Sequence, residues 1–384
     1  MKSNFKIQNF FKGDISIWIL YLIMSVISLV SVYSSIGLYA IADIGSTPLH
    51  LFFRHAAFVV ASYLVIVFIT PLKTETLFKW AAIIFGLSIV LVFLALMQHT
   101  RWINIFGIRF QPSETVKLGL TLLLAKLMHT NRNNLDSPQF FGILIVVIGV
   151  VSLLIMPENF STAALIFLAS MFAVFFGGIE SKMWLKVMGV IGLLGLLMLA
   201  GFYFWGSDLD MMRSSTWGNR INAWLNPSTD LTQENMAKMA IASGGLFGNG
   251  IGNTIHARLM TQAHNDFIFA IIIEEAGTAA GAFIFIVYTI FFRRCIRLVK
   301  KCHDTFSAVI VAGIATIIYF QALVNMSVAV GLLPVTGQTL PFISFGGTAY
   351  LILSCGIGMI QCVAYNIKKQ ERTLKKDETE ITTK

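Results

Sequence analysis

The sequence predicts an all-α polytopic membrane protein: one bundle of about ten transmembrane helices with a large structured extracytoplasmic loop between spans 7 and 8. Three observations carry this. The chain of 384 residues is 56% hydrophobic and only 12% charged, where soluble domains run at about 25% charged. Its apolar stretches are continuous and about twice the length of a barrel strand, which excludes a barrel. Its cations cluster in the gaps between those stretches. The net charge of +9 would point to nucleic acid in a soluble protein. Here it follows the bias of membrane proteins toward a basic cytoplasmic face, and no nucleic-acid partner is expected.

Ten spans are expected, at roughly 16–38, 50–71, 78–97, 114–129, 139–156, 159–178, 184–205, 266–292, 306–329 and 346–366. The first run is longer than a secretory signal, so the Ala40-Ile41-Ala42 that follows it is read as part of an uncleaved span. The fourth is the weakest, because Glu114 and Lys117 interrupt its start. The fifth and sixth are parted only by Met156-Pro157-Glu158-Asn159. Ten crossings put Lys12, Lys73, Lys79, Lys126, Lys182, the Arg293 to Lys301 cluster and the basic C terminus on one face. That face is cytoplasmic, with both termini inside. Residues 1–366 read as a single domain. Residues 367–384 read as a charged, disordered cytoplasmic tail.

The loop over 206–265 is expected to be structured. Asp230 with Gln233 three residues on reads as a helix start. Met236, Met239, Ala240 and Ile241 give that helix an apolar face, and Gly244, Gly245, Gly248, Gly250 and Gly252 end it. Loops of this length are more often functional than not.

Outer-face cations have no topogenic use. Arg101, Arg109, Arg213, Arg220, Lys238 and Arg258 therefore suit an anionic ligand such as a lipid phosphate, beside the plain alternative of ordinary surface charge. Asp266 stands where the polar loop meets the eighth span. A carboxylate there is either a helix cap or a base that reaches water and headgroups. His264 either shares its proton chemistry or is a polar loop residue. Glu274 and Glu275, two turns on, need partners or water, and Arg54 and Lys117 are the expected partners. Glu114 and Lys117, three apart, form an ion pair that pins a helix or lines a groove. Trp102 belongs either to an interfacial aromatic belt or to a sugar-stacking surface. From Pro334 to Gly347, a stretch that includes Ser344, prolines and glycines force irregular backbone, tolerated at membrane depth only when buried or lining a cavity. The four cysteines form no CxxC pair or zinc spacing and read as structural.

Several stretches together resemble the SEDS family (shape, elongation, division and sporulation). They are Arg101-Trp102-Ile103 leading to Phe110-Gln111-Pro112-Ser113-Glu114, Arg220-Ile221 to Trp224-Leu225-Asn226-Pro227, and Ala240 to Gly248. Ala263-His264-Asn265-Asp266-Phe267 with Glu274-Glu275-Ala276-Gly277, and Gly331 to Gly347, are the strongest. The wording Thr336-Gly337-Gln338-Thr339-Leu340-Pro341 is most like the division branch. Departures fall at Thr261-Gln262, at Met156 to Ala163, at Phe345 and at Thr348-Ala349.

The resemblance implies a peptidoglycan glycosyltransferase of the bacterial inner membrane. It would polymerise lipid II, the undecaprenyl-pyrophosphate-linked disaccharide-pentapeptide, beside a class B penicillin-binding protein and other division-complex membrane proteins. It implies that Asp266 is the essential acidic residue, here assigned as general base. Trp102, Arg101, Arg109, Glu114, Lys117, Arg220, Lys238, Arg258, His264 and Ser344 are the expected substrate-binding residues. No cofactor is certain, and a divalent cation (Mg or Mn) is the one candidate. A lipid II flippase, an elongation-type polymerase and a non-catalytic scaffold are the alternatives.

Overall fold

The computed structural model describes residues 11–42, 48–98, 100–105, 108–205, 220–221, 224, 232–256, 260 and 263–382. Among these, ten long helices coincide with the ten expected spans. They are α1 (Ile15–Ala42), α2 (Pro48–Ile69), α3 (Thr74–Met97), α4 (Pro112–Thr130), α5 (Pro138–Ile155), α6 (Phe160–Phe176) and α7 (Ser181–Trp205), then α10 (Ile268–Val299), α11 (Thr305–Ala329) and α12 (Gly347–Thr382). Seven of them are long and apolar enough to cross a membrane, and α6 is a shorter apolar helix of 17 residues. The chain is a multi-pass membrane protein. The helix α8 (Gln233–Gly244) and the single turn α9 (Ala263–Asp266) lie between α7 and α10.

Among the seven helices long and apolar enough to cross a membrane, α11 and α12 are the most enclosed and α2 and α3 the least. α11 packs against α4, α6 and α10, whereas α12 lies along α2. α4 is buried nearly all round, which is why it tolerates Glu114 and Lys117 while its average apolarity is low. Local signals set the helix starts. Pro112 and Pro138 occupy first turns. The side chains of Asn159 and Asp304 accept from Thr162 N (3.2 Å) and Ser307 N (2.8 Å). All four cysteines are free.

The structure corrects three expectations. The cap of α8 is Thr232, whose hydroxyl accepts from Asn235 N at 3.3 Å; Asp230 lies outside the described residues. The tail does not begin at 367 as a disordered segment, since α12 runs on to Thr382. Its Lys, Glu, Gln and Arg are good helix formers, no Gly or Pro interrupts them, and the helix is already nucleated within the bundle. Lys368 Nζ, in this extension, donates to Gly13 O at 2.7 Å. Finally, Glu274 and Glu275 take neither Arg54 nor Lys117. Arg54 sits over the Phe345 ring at 5.7 Å, and Lys117 is paired with Glu114.

The acids instead hold the loop after α8. Glu274 Oε1 accepts from Ile255 N (2.9 Å), His256 N (3.0 Å) and His256 Nδ1 (3.0 Å). Glu275 Oε1 accepts from Gly252 N at 3.2 Å and from the Ser34 hydroxyl. Beside them α10 breaks at Gly277, with φ 84° and ψ 171°. Four backbone bonds from the loop fill the break: Asn249 N to Glu274 O, Gly250 N to Glu275 O, Thr278 N to Gly245 O and Ala279 N to Leu246 O. Only glycine fits this approach. A Cβ on Gly244, Gly248 or Gly277 would lie 2.1–2.2 Å from a carbonyl oxygen.

Candidate active site

Asp266 ends α9, just before the membrane-spanning α10. Phe267 between them is non-helical, with φ −116° and ψ 20°. This break lets the carboxylate stand at the rim of the bundle rather than inside a continuous helix. The side chain is half-buried. Burial pushes its pKa up to about 6, against the pull of the Arg220 and Arg101 cations. A carboxylate so placed is ionised near neutral pH yet basic enough to accept a proton.

Both cations come from outside the spans. Arg101 and Trp102 are exposed and lead into a hairpin, β1 (Ile103–Ile105) paired antiparallel with β2 (Ile108–Phe110). Arg220 donates to Val335 O at 3.2 Å, which ties it to the irregular segment between α11 and α12. Trp224 donates to Gly331 O at 2.9 Å on the same segment. Arg109 is exposed on β2, and its carbonyl accepts from the Thr348 hydroxyl at 2.9 Å. Lys238 is paired with Glu234 at 3.0 Å and lies against Gly331.

Beneath the rim runs a buried polar network. Lys117 Nζ bonds Glu114 at 2.7 Å and Gln321 at 2.8 Å. Gln321 in turn donates to Thr339 O at 3.1 Å. Thus Glu114 and Lys117 support the 334–347 segment. That segment comes close to the carboxylate: a Cβ on Gly337, which has φ 67°, would stand 3.7 Å from Asp266 Oδ2. The Ser344 hydroxyl accepts from Leu340 N (2.8 Å) and donates to Asn265 O (2.7 Å).

Of the expected site residues, Asp266, Arg101 and Arg220 come together electrostatically, and Glu114, Lys117 and Ser344 join them through the segment. His264 lies in the same helical turn as Asp266, but its side chain is outside the described set, as is Arg258 altogether. Asn325, Gln338 and Thr162 were not foreseen. Asn325 donates to Asp266 O (2.8 Å) and Gln338 O (2.7 Å), and Gln338 donates to the Thr162 hydroxyl (2.8 Å). A signal was available: Gln321 and Asn325 are four apart, on one face of an otherwise apolar span. A cavity of about 390 Å³, lined in part by Glu75, Lys79, His129 and Asp304, holds none of these residues.

Among the described residues, no group of three or more His, Cys, Asp or Glu side chains gathers to hold a metal. The buried acceptors at the rim that lack a partner among those residues, Asn265 Oδ1, Asn325 Oδ1 and Thr336 Oγ1, are all neutral.

The chain is similar to several known proteins along nearly its whole length. It is 31% identical over 372 residues to a probable peptidoglycan glycosyltransferase FtsW of Enterococcus hirae, covering 91% of each chain. It is 26% identical to the stage V sporulation protein E of Bacillus subtilis (strain 168), covering 90% of this chain and 95% of that one. Its fold matches a chain from a peptidoglycan synthase complex described as coordinating polymerization and crosslinking (TM-score 0.72, 23% identity, 92% and 98% of the two chains). It also matches the rod shape determining protein RodA of Thermus thermophilus (TM-score 0.66, 22% identity, 93% and 98%). The model of the FtsW/RodA/SpoVE cell cycle proteins runs across residues 14–369, nearly the full span of the bundle, and the chain belongs to that family.

Proposed function

We propose that this protein is a peptidoglycan glycosyltransferase that polymerises lipid II at the outer face of the bacterial inner membrane during cell division. The observation that carries the reading is the half-buried Asp266 carboxylate, its pKa raised to about 6, beside the Arg101 and Arg220 cations at the end of a membrane helix. Both termini are cytoplasmic, which sets Asp266 on the outer side.

In the reaction, a sugar hydroxyl of the acceptor attacks the anomeric carbon of the donor with inversion. Asp266 takes the hydroxyl proton as the new C–O bond forms. The bond to the lipid diphosphate breaks, and its electron pair leaves with the diphosphate. General-base help of this kind contributes about 10²–10⁴-fold. Arg101 and Arg220 stabilise the charge that develops on the leaving group, with Arg109, Lys238 and Arg258 as outer members of the same basic rim. Trp102 and His264 contact the sugar, and Glu114 and Lys117 shape the floor. A divalent cation, Mg or Mn, would add positive charge beside the lipid diphosphate. The partners are a class B penicillin-binding protein that cross-links the product and other division-complex membrane proteins.

The test is polymerisation of labelled lipid II by purified protein, with and without the transpeptidase. Wild type should make polymer in at least one condition, and Asp266→Ala none while still folded. Polymer from the Asp266→Ala variant would refute the base assignment. Lipid II transport across liposomes that survives Asp266→Ala, with no polymer under any condition, would favour a flippase.

A further inference from the structure

We infer that Asn325 and Ser344 are positioning residues for the base: they pin the helical turn that carries Asp266 against the segment between α11 and α12. This rests on the assignment of Asp266 as the base. The break at Phe267 creates the need. Ala270 N and Ile271 N both turn to Phe267 O (2.9 and 3.2 Å), so the helical ladder of α10 stops one residue short of Asp266. The carbonyls of Asn265 and Asp266 are then the free end of a short turn. A four-residue turn has no stability of its own. Its orientation must come from elsewhere.

Two side chains supply it. Asn325, 1% exposed on α11, donates to Asp266 O at 2.8 Å. Ser344 donates to Asn265 O at 2.7 Å. Each is itself fixed. The Asn325 amide also donates to Gln338 O, and Gln338 reaches Thr162 on α6. The Ser344 hydroxyl accepts from Leu340 N. Two successive carbonyls held by two separate anchors set both the height and the rotation of the turn. The same anchors hold the segment whose Gly337 faces the carboxylate. Neither side chain bonds the carboxylate itself, so their action is on its position. Phe342, a non-glycine residue at φ 60°, lies between the anchoring points. Its ring is wedged against Tyr21 (5.3 Å) and Tyr350 (5.5 Å), and the Tyr288 hydroxyl donates to Pro341 O beside it. The segment is thus held in a conformation it would not keep alone.

The experiment is steady-state polymerisation of lipid II, with amide hydrogen exchange over residues 263–268, on Asn325→Ala, Ser344→Ala and the isosteric Asn325→Asp. Asp266→Asn is the control. A misplacement of about 1 Å costs on the order of 100-fold in rate. Each variant should therefore lose about 10–100-fold in kcat, with KM for lipid II changed by less than about 3-fold, and exchange in the turn should rise. Wild-type kcat in the folded variants, or loss confined to KM, overturns the inference. If Asn325→Ala does not fold, Ser344→Ala and Asn325→Asp still decide it. Wild-type activity in Asp266→Asn would instead refute the base assignment, and the positioning claim with it.

Discussion

Replacing Asp266 with Asn should stabilise the protein while stopping catalysis, and the gain should depend on pH. The ordinary value for this carboxyl is 3.8, and burial raises it to about 6. A separation of that size is equivalent to about 3 kcal/mol. Because the group is only half-buried, solvent screening trims the expected effect to about 1–3 kcal/mol. Below about pH 3 the carboxyl is neutral in both folded and unfolded chains, and the substitution changes little. As pH rises toward 6 the unfolded chain gives up its proton first, so wild type loses stability relative to the Asn variant. Above 6 both are ionised and the difference is constant. Thermal unfolding in detergent at pH 3 and pH 7.5 reads this directly. The Asn variant should melt several degrees higher at pH 7.5, at about 2–4 °C per kcal/mol, and together with wild type at pH 3. Polymerisation by wild type should rise with pH on a limb near 6. A melting difference that is flat with pH, or an Asn variant less stable at pH 7.5, would refute the account of a base strained by burial.

Asp14 should behave in the opposite sense. Burial raises its pKa, but the Arg294 guanidinium at 2.6 Å and the amides of Ser16 and Ile17 outweigh this and hold it below the usual carboxylate range. Asp14→Asn should destabilise by about 1–3 kcal/mol at pH 7 and lose that effect as pH falls below 4, checked by the same melts. Lys117→Met should destabilise by about 3–5 kcal/mol, since it strands the buried Glu114 carboxylate. Adding Glu114→Gln should restore most of the loss, measured as a double-mutant cycle. Gly277→Ala should cost more than about 3 kcal/mol, because a Cβ there would sit 2.1 Å from Leu246 O, and it should show as loss of folded protein on size-exclusion chromatography.

The spans were legible because membrane helices announce themselves as continuous apolar runs, and all ten expected runs emerged as helices. The hairpin strands were readable too: Ile103, Ile105, Ile108 and Phe110 alternate on either side of Phe106-Gly107 in the sequence, yet their shortness hid them. Asp266 stood out in the sequence because it is a carboxylate, where most charges that flank the apolar runs are cations. Ser344 was among the expected residues and Asn325 was marked by standing four from Gln321 in an apolar span, but the backbone carbonyls they hold follow no spacing rule. The partners of Glu274 and Glu275 were missed for the same reason: they are mostly loop amides, which every residue owns. The tail was misread because low apolarity marks both disordered segments and solvated helices that extend from a packed one.

The loop after α8 is stitched to the break in α10 by backbone bonds and two buried acids, and this makes loop and helix move as one piece. A partner that grips residues 245–256 from outside takes hold of the first turns of α10 at the same time. Those turns run back through Ile268 to the turn that ends in Asp266. The break at Phe267 lies between those turns and the base, so a displacement of the loop would reach the first turns of α10 and stop short of Asp266, which its own anchors hold.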